Sequence, residues 1–294
     1  MIDLHTHTCH SDGADTVEYL IEQANKRPLE VLSITDHNSV AAYREEAIRR
    51  FNGSMIRGVE ITCMFEGEVV EVLGYGFDQG RMEEELANHV LPFREKQIRE
   101  YELLCQAFSR TGLSFDKVKV VFDPEKESCR KAFLKELVKD PSNRRFFCSK
   151  ESWERSKDFT RKEIYNPESL LYVDESPLYP DLKTGVEMIH RSGGIAFLAH
   201  LYIYAHCDIF RGKLGEIVRD MHLDGIECAH SAFTFAQIRD LEHFCDENRL
   251  LKSGGSDYHG VRKPDVAIGT GKGQLSVPKT YLDSWPACVL TFDP

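Results

Sequence analysis

The sequence predicts an α/β fold, a parallel sheet or barrel interrupted by a mainly helical insertion, and three observations predict it. Short apolar segments of strand character alternate with helical segments at both ends of the chain. Residues able to ligate metals stand where those strand segments give way to loops. The middle of the chain loses the alternation and changes its charge balance.

Met1–His5 reads as a short strand, followed by a polar loop over Thr6–Asp15. Thr16 is an N-cap for a helix over Val17–Lys26, because Val17, Leu20, Ile21 and Ala24 recur at helical spacing. Leu29–Thr35 is a buried strand, and Ser39–Phe51 a helix opened by Ser39. Met55–Thr62 and Val69–Tyr75 are further strands, bracketed by Gly53, Gly67 and Gly76. Arg81–Phe108 reads as one long polar helix. Alternation resumes with a helix over Leu182–Arg191, stopped by Ser192-Gly193-Gly194, and a strand over Ile195–Ala199. Helix Gly212–Met221, strand Gly225–Cys228, helix Thr234–Asn248 and strand Leu250–Ser253 follow. Beyond Gly269 the chain is irregular, with Pro278, Pro286 and Pro294 limiting helix.

Between them, Glu125–Glu163 holds twelve basic and eight acidic residues, in a chain of 294 residues whose net charge is −11. That reversal marks an inserted subdomain. The expected division is a barrel from residues 1–90 and 175–294, with a helical insertion over 91–174. With 37 Lys and Arg against 48 Asp and Glu, the chain is no bulk polyanion binder, and no stable nucleic-acid complex is expected. No apolar run approaches the roughly 18 residues that span a bilayer. Nine Cys without a C-x-x-C pair, and a start lacking a signal-peptide pattern, point to reduced thiols and a cytoplasmic protein with no membrane partner. Oligomeric state is not legible.

The chemistry sits at the predicted strand ends. His5 and His7 alternate at i and i+2 and share one side of an extended backbone. Asp12 follows in Ser11-Asp12-Gly13, His37 in Thr35-Asp36-His37, and Glu60 in Gly58-Val59-Glu60. His200 ends Ala196–His200, while Asp257 and His259 lie in Gly255-Ser256-Asp257-Tyr258-His259. In a parallel α/β barrel such ends converge on one face. Imidazole and carboxylate together suit Zn, Mn or Fe, and this many ligands suit more than one ion.

In order and spacing these motifs resemble the PHP (polymerase and histidinol phosphatase) superfamily of metal-dependent phosphoesterases. Ser11-Asp12-Gly13 and the size of the insertion resemble its branch that acts on small phosphorylated molecules, nucleotides included. The resemblance implies a distorted (β/α)7 TIM-like barrel and two or three divalent ions (Mn, Fe or Zn). It implies one ion held by His5, His7, Glu60 and Asp257, a second by Glu60 and His200, and a third by Asp12, His37 and His259. Asp3 and Asp36 would orient imidazoles from behind. Glu71 stands where the family usually has His, so it is either a carboxylate ligand or an ordinary strand residue. Leu201 replaces a customary Pro, which alters the loop. His10 is an extra imidazole beside the first motif, read as a solvated loop residue or a helper of Asp12.

Position also matches Arg130 to an insertion arginine that contacts phosphate; the other reading is an exposed helix residue. His230, in Glu227-Cys228-Ala229-His230, is a general acid or phosphate contact, or a buried structural histidine. Asp257, His230 and Arg130 are the expected catalytic residues, with Arg130 and His230 binding substrate. The expected activity is hydrolysis of a small phosphorylated metabolite (a nucleotide, sugar phosphate or cyclic phosphate) by a metal-bound hydroxide. The alternatives are a metal-dependent hydrolase of an amide-type bond and a degenerate module without activity. Amide-cleaving barrels typically use a bridging carbamylated lysine, and no lysine is seen at a strand end.

Overall fold

A computed structural model describes residues 1–290 of the chain; Pro294 lies outside the described residues. The chain folds as two compact units. The first comprises Met1–Cys63, Val70–Asn88 and the chain from Leu182 onward, and the second Met64–Val69 and His89–Asp181.

The strands of the first unit are short and mostly buried. β1 (Ile2–Asp3), β2 (Val31–Leu32) and β3 (Ser54–Met55) form a parallel sheet with Ile2 opposite Val31 and Val31 opposite Ser54. A second sheet runs in the order β4 (Gly58–Phe65), β5 (Glu68–Tyr75), β6 (Ile195–Leu198), β7 (Gly225–His230) and β8 (Leu251–Gly255). β5 is antiparallel to β6, whereas β6, β7 and β8 are parallel. The mixed α/β class is as expected. A closed parallel barrel is not formed by the described residues. No ladder joins the two sheets among the described residues; isolated bridges, Thr6 with Tyr258 and His37 with Glu60, and single hydrogen bonds such as Leu4 N–H to the Gly254 carbonyl link them. Two local causes interrupt the ladder. The tight turn at Glu66-Gly67, both with positive φ, reverses the chain into β5. At Asn38, His200 and Asp257 the backbone enters the left-handed region, just where a regular strand would continue.

Most helices fall where periodicity placed them. Val17–Asn25 is capped by Thr16, whose side chain accepts from the Tyr19 N–H, and buries Val17, Leu20, Ile21 and Ala24. Leu182–Arg191 has the expected bounds, and Phe235–Asn248 opens with a Thr234/Gln237 capping box. Two expectations fail. Ser39–Phe51 is not an α-helix but two 3₁₀ segments, Ala41–Arg44 and Glu46–Arg50, because Glu45 is extended between them. The buried Tyr43 hydroxyl binds the Ile34 and Ile56 carbonyls and the Gly58 N–H, and that tertiary anchor outweighs local propensity. The long helix over 81–108 is likewise two helices, Gln79–His89 and Phe93–Ser109, broken at Pro92.

The second unit is mainly helical, with Phe93–Ser109, Cys129–Leu137 and shorter turns. Its own apolar core joins Leu104, Phe108, Phe133, Leu137, Phe147 and Phe159. Phe108 and Phe133 meet edge to face at 5.5 Å, a favoured aromatic geometry. No helix among the described residues is long and apolar enough to cross a membrane.

Candidate metal centre

Residues far apart in sequence meet because the segment after β1 runs beside the segment after β8. Leu4 N–H bonds the Gly254 carbonyl (3.1 Å), Asp257 N–H the His5 carbonyl (2.8 Å), and His7 N–H the Tyr258 carbonyl (2.9 Å). Those bonds set His5, His7, Asp257 and His259 side by side. The approach demands glycine at 255, where a Cβ would lie 2.3 Å from the His5 backbone nitrogen. Gly13 is required similarly, since its Cβ would meet the His7 carbonyl oxygen at 2.5 Å, and this folds the Asp12 turn back onto the histidines. The His37–Glu60 bridge joins the first sheet to the second, and the β5–β6 pairing sets Glu71 near His200, with the Ala199 N–H on the Glu71 carbonyl at 3.1 Å.

Their side chains close on common points. His5 Nε2 lies 3.2 Å from Glu60 Oε2 and 3.7 Å from Asp257 Oδ1, and His7 Nε2 lies 3.2 Å and 3.4 Å from the same two oxygens. His200 Nε2 is 2.9 Å from Glu60 Oε1 and 3.0 Å from Glu71 Oε2. His259 Nε2 is 3.0 Å from Asp12 Oδ1, an oxygen that also faces His7 Nδ1 and His37 Nε2, each at 3.7 Å. Four sets of ligand atoms lie within 4.8 Å of one another: His5/His7/Asp257, His5/Glu60/His200, His7/Asp12/His37/His259 and His37/Glu60/Glu71. All nine candidate ligands singled out in the sequence are thus gathered in the first unit. His37 faces two ways, its Nδ1 lying 3.3 Å from Glu60 Oε2 and 3.4 Å from Glu71 Oε1, so it is not confined to the Asp12 set. Glu71 points into the cluster with both oxygens.

The cluster fits cations on two grounds. His7 Nδ1, Asp12 Oδ1 and His37 Nδ1, which face other ligand-type atoms of the cluster, are buried yet have no hydrogen-bond partner, a costly state that an ion would relieve. The charge balance asks for positive charge as well. Burial opposes a charged imidazole at His7 and His200, but Asp257 and Glu60 push His7 up to about 9, and Glu60 and Glu71 push His200 up to about 10. Burial would likewise raise Glu60 and Asp257, yet the surrounding imidazoles hold both carboxyls well below their usual range. A divalent ion held by these residues would take the place of such protons.

The groups behind the ligands differ from expectation. Asp3 and Asp36 orient no imidazole. Asp3 accepts from the backbone N–H groups of His5, Ser256 and Gly269 (3.3, 2.8 and 2.7 Å), and Asp36 holds Thr8 and Ser11. Both carboxylates fix the loops by accepting from loop donors. The imidazole is oriented by Glu227, which the sequence reading missed. It accepts from His5 Nδ1 at 2.8 Å and from the His200 N–H at 2.7 Å, and the only sequence signal was a carboxylate inside an apolar strand. Glu227→Gln is expected to lower metal affinity by about 10- to 100-fold, measured by competition with a chromogenic chelator.

The remaining candidates separate. His230 accepts from the Ala232 N–H at Nδ1 (3.1 Å), so its Nε2 carries the proton and donates to Asp257 Oδ2 at 3.2 Å. His10 pairs with Glu45. Arg130 is not an exposed helix residue. It is 9% exposed in the second unit, where its Nε binds Glu100, one terminal nitrogen the Tyr165 hydroxyl (2.6 Å), and the other both Glu175 oxygens (2.8 Å each). Those bonds commit the guanidinium that the sequence reading assigned to phosphate. Lys263, which that reading also passed over, touches Asp257 Oδ2.

Comparison with known proteins adds the following. Residues 3–144 match the family model described as PHP domain. The chain is 27% identical to a 5'-3' exoribonuclease of Haemophilus influenzae, over 87% of this chain and 89% of that one. It is 26% identical to a phosphoribosyl 1,2-cyclic phosphate 1,2-diphosphodiesterase of Eggerthella lenta, over 90% of this chain and 97% of the relative. It is also 26% identical to a 3',5'-nucleoside bisphosphate phosphatase of Chromobacterium violaceum, over 91% and 90%. Among solved structures, a Chromobacterium violaceum protein described as an amidohydrolase superposes with a TM-score of 0.66 at 24% identity, covering 91% of this chain and 89% of that one. That likeness concerns the fold alone.

Proposed function

We propose, from the premise that this chain is a metal-dependent phosphoesterase of the PHP-domain family, that its cluster of nine ligands hydrolyses a small phosphorylated metabolite of nucleotide or cyclic-phosphate type. The carrying observation is the convergence of imidazoles and carboxylates from both sheets into four sets of atoms, each within 4.8 Å. Two or three divalent ions (Mn, Fe or Zn) would be held by His5, His7 and Asp257, by Glu60, His200 and Glu71, and by Asp12, His37 and His259. When bound, such ions lower the pKa of a coordinated water to about 7 and polarise the phosphoryl oxygens.

The chain's own groups supply the rest. Glu227 holds the His5 ring and the His200 backbone, Asp36 fixes the Thr8–Ser11 loop, and His230 offers an N–H beside Asp257. Substrate class rests on the relatives, which are named for a cyclic phosphate, a nucleoside bisphosphate and RNA. The RNA-directed names support a second reading, removal of nucleotides from a 5' end, in which a nucleic-acid substrate replaces the small one. The proposed helical insertion over 91–174 draws support from the separate compactness of Met64–Val69 and His89–Asp181.

Protein purified without chelator is expected to carry two or three metal equivalents by ICP-MS, and to lose phosphate release on chelation and regain it with Mn. A panel of nucleoside 3',5'-bisphosphate, a cyclic sugar phosphate, p-nitrophenyl phosphate and a 5'-phosphorylated RNA oligonucleotide divides the two substrate readings. Absence of metal, together with no hydrolysis of any panel member after Mn loading, would overturn the proposal.

A further inference from the structure

A cationic side chain of the protein beside the metal centre would help hold a phosphoryl group there; Arg130 bonds Glu100, Glu175 and Tyr165 inside the second unit, whereas Lys263 bonds a residue of the cluster itself. We infer that Lys263 is a further phosphate-contacting residue of the metal centre, beside the His230 already expected to bind substrate. This inference rests on the phosphoesterase reading above.

Lys263 follows β8 by eight residues, and the turn Gly260–Arg262 brings it back toward the cluster. Its side chain remains 23% exposed, so it is not sealed within the site to which its ammonium is tied. Asp257 presents two different sides. Its Oδ1 faces the imidazoles of His5, His7 and His259 at 3.7, 3.4 and 3.3 Å, the side suited to a cation. Its Oδ2 accepts from the Lys263 ammonium and the His230 Nε2–H. Two donors, one at the end of β7 and one from the loop after β8, therefore converge on one anionic oxygen of the cluster. A phosphoryl oxygen has the same acceptor chemistry, and an ammonium is a compact charge well suited to it. The tautomer of His230 supports the pairing, since Ala232 fixes its Nδ1 as acceptor and leaves Nε2–H for the anion.

The probe is inorganic phosphate, titrated calorimetrically into Mn-loaded full-length protein whose metal content is counted beforehand. Lys263→Met is expected to weaken phosphate binding and raise KM at least tenfold, with metal equivalents unchanged and kcat falling less than KM rises. Lys263→Arg should recover binding to within about threefold, since a guanidinium also donates to phosphate. Phosphate affinity unchanged in Lys263→Met at full metal content overturns the inference and leaves the enzyme reading intact. Affinity lost only in proportion to lost metal also overturns it, because Lys263 would then merely support Asp257. Metal-loaded wild type that neither binds phosphate nor hydrolyses a phosphoester overturns both.

Discussion

Replacing Asp257 by Asn is expected to lower turnover at least about a thousandfold, about 4 kcal/mol of barrier, while far-UV circular dichroism stays that of the wild type. The carboxylate meets three imidazoles through one oxygen and two donors through the other, and its N–H bonds the His5 carbonyl. Asn preserves shape and backbone bond but removes the charge that draws a cation between His5 and His7. One metal equivalent should disappear by ICP-MS alongside the activity. Retention of more than a tenth of the wild-type rate, about 1.4 kcal/mol in barrier, would remove Asp257 from the centre.

Arg130→Ala is expected to destabilise the protein by about 3–5 kcal/mol, read from the urea midpoint. The guanidinium is the shared partner of two buried carboxylates, and its removal strands both. One guanidinium cannot fully offset two buried carboxylates, and burial already pushes Glu175 up to about 7 against the pull of Arg130, with Glu100 adding to the rise. A carboxyl whose folded-state pKa exceeds its unfolded value stabilises below the unfolded pKa and loses that contribution as pH rises through the folded one. Removing Arg130 lifts the folded value further, so the deficit should be larger at pH 8 than at pH 6. Arg130→Lys should recover only part of it, since an ammonium cannot serve Glu100, Tyr165 and Glu175 in one planar fork. A raised KM with an unchanged urea midpoint would instead return Arg130 to phosphate binding.

These two residues show what sequence reasoning reaches and what it leaves to the fold. Asp257 was legible because a Gly-Ser-Asp-Tyr-His run at a strand end has few structural uses, and its order with His5, His37, Glu60 and His200 narrows them further. For Arg130 the positional match fixed a residue type and a helix but not its neighbours. Glu100 lies 30 residues before it and Glu175 45 after. Glu227 and Lys263 were missed for the same reason, their meaning residing in His5 and Asp257 across the fold.

By itself, the sequence determined the α/β class, the helices whose apolar faces repeat at 3.6 residues, and the nine imidazole and carboxylate residues that the fold gathers, because periodicity and residue chemistry are local properties. Only the tertiary structure decided that the sheet does not close, that Tyr43 and Pro92 break two expected helices, and which charged groups meet. The physical reason is the same in each case. Burial makes the pairing of polar groups compulsory, and partners are chosen by proximity in space, which no spacing along the chain encodes.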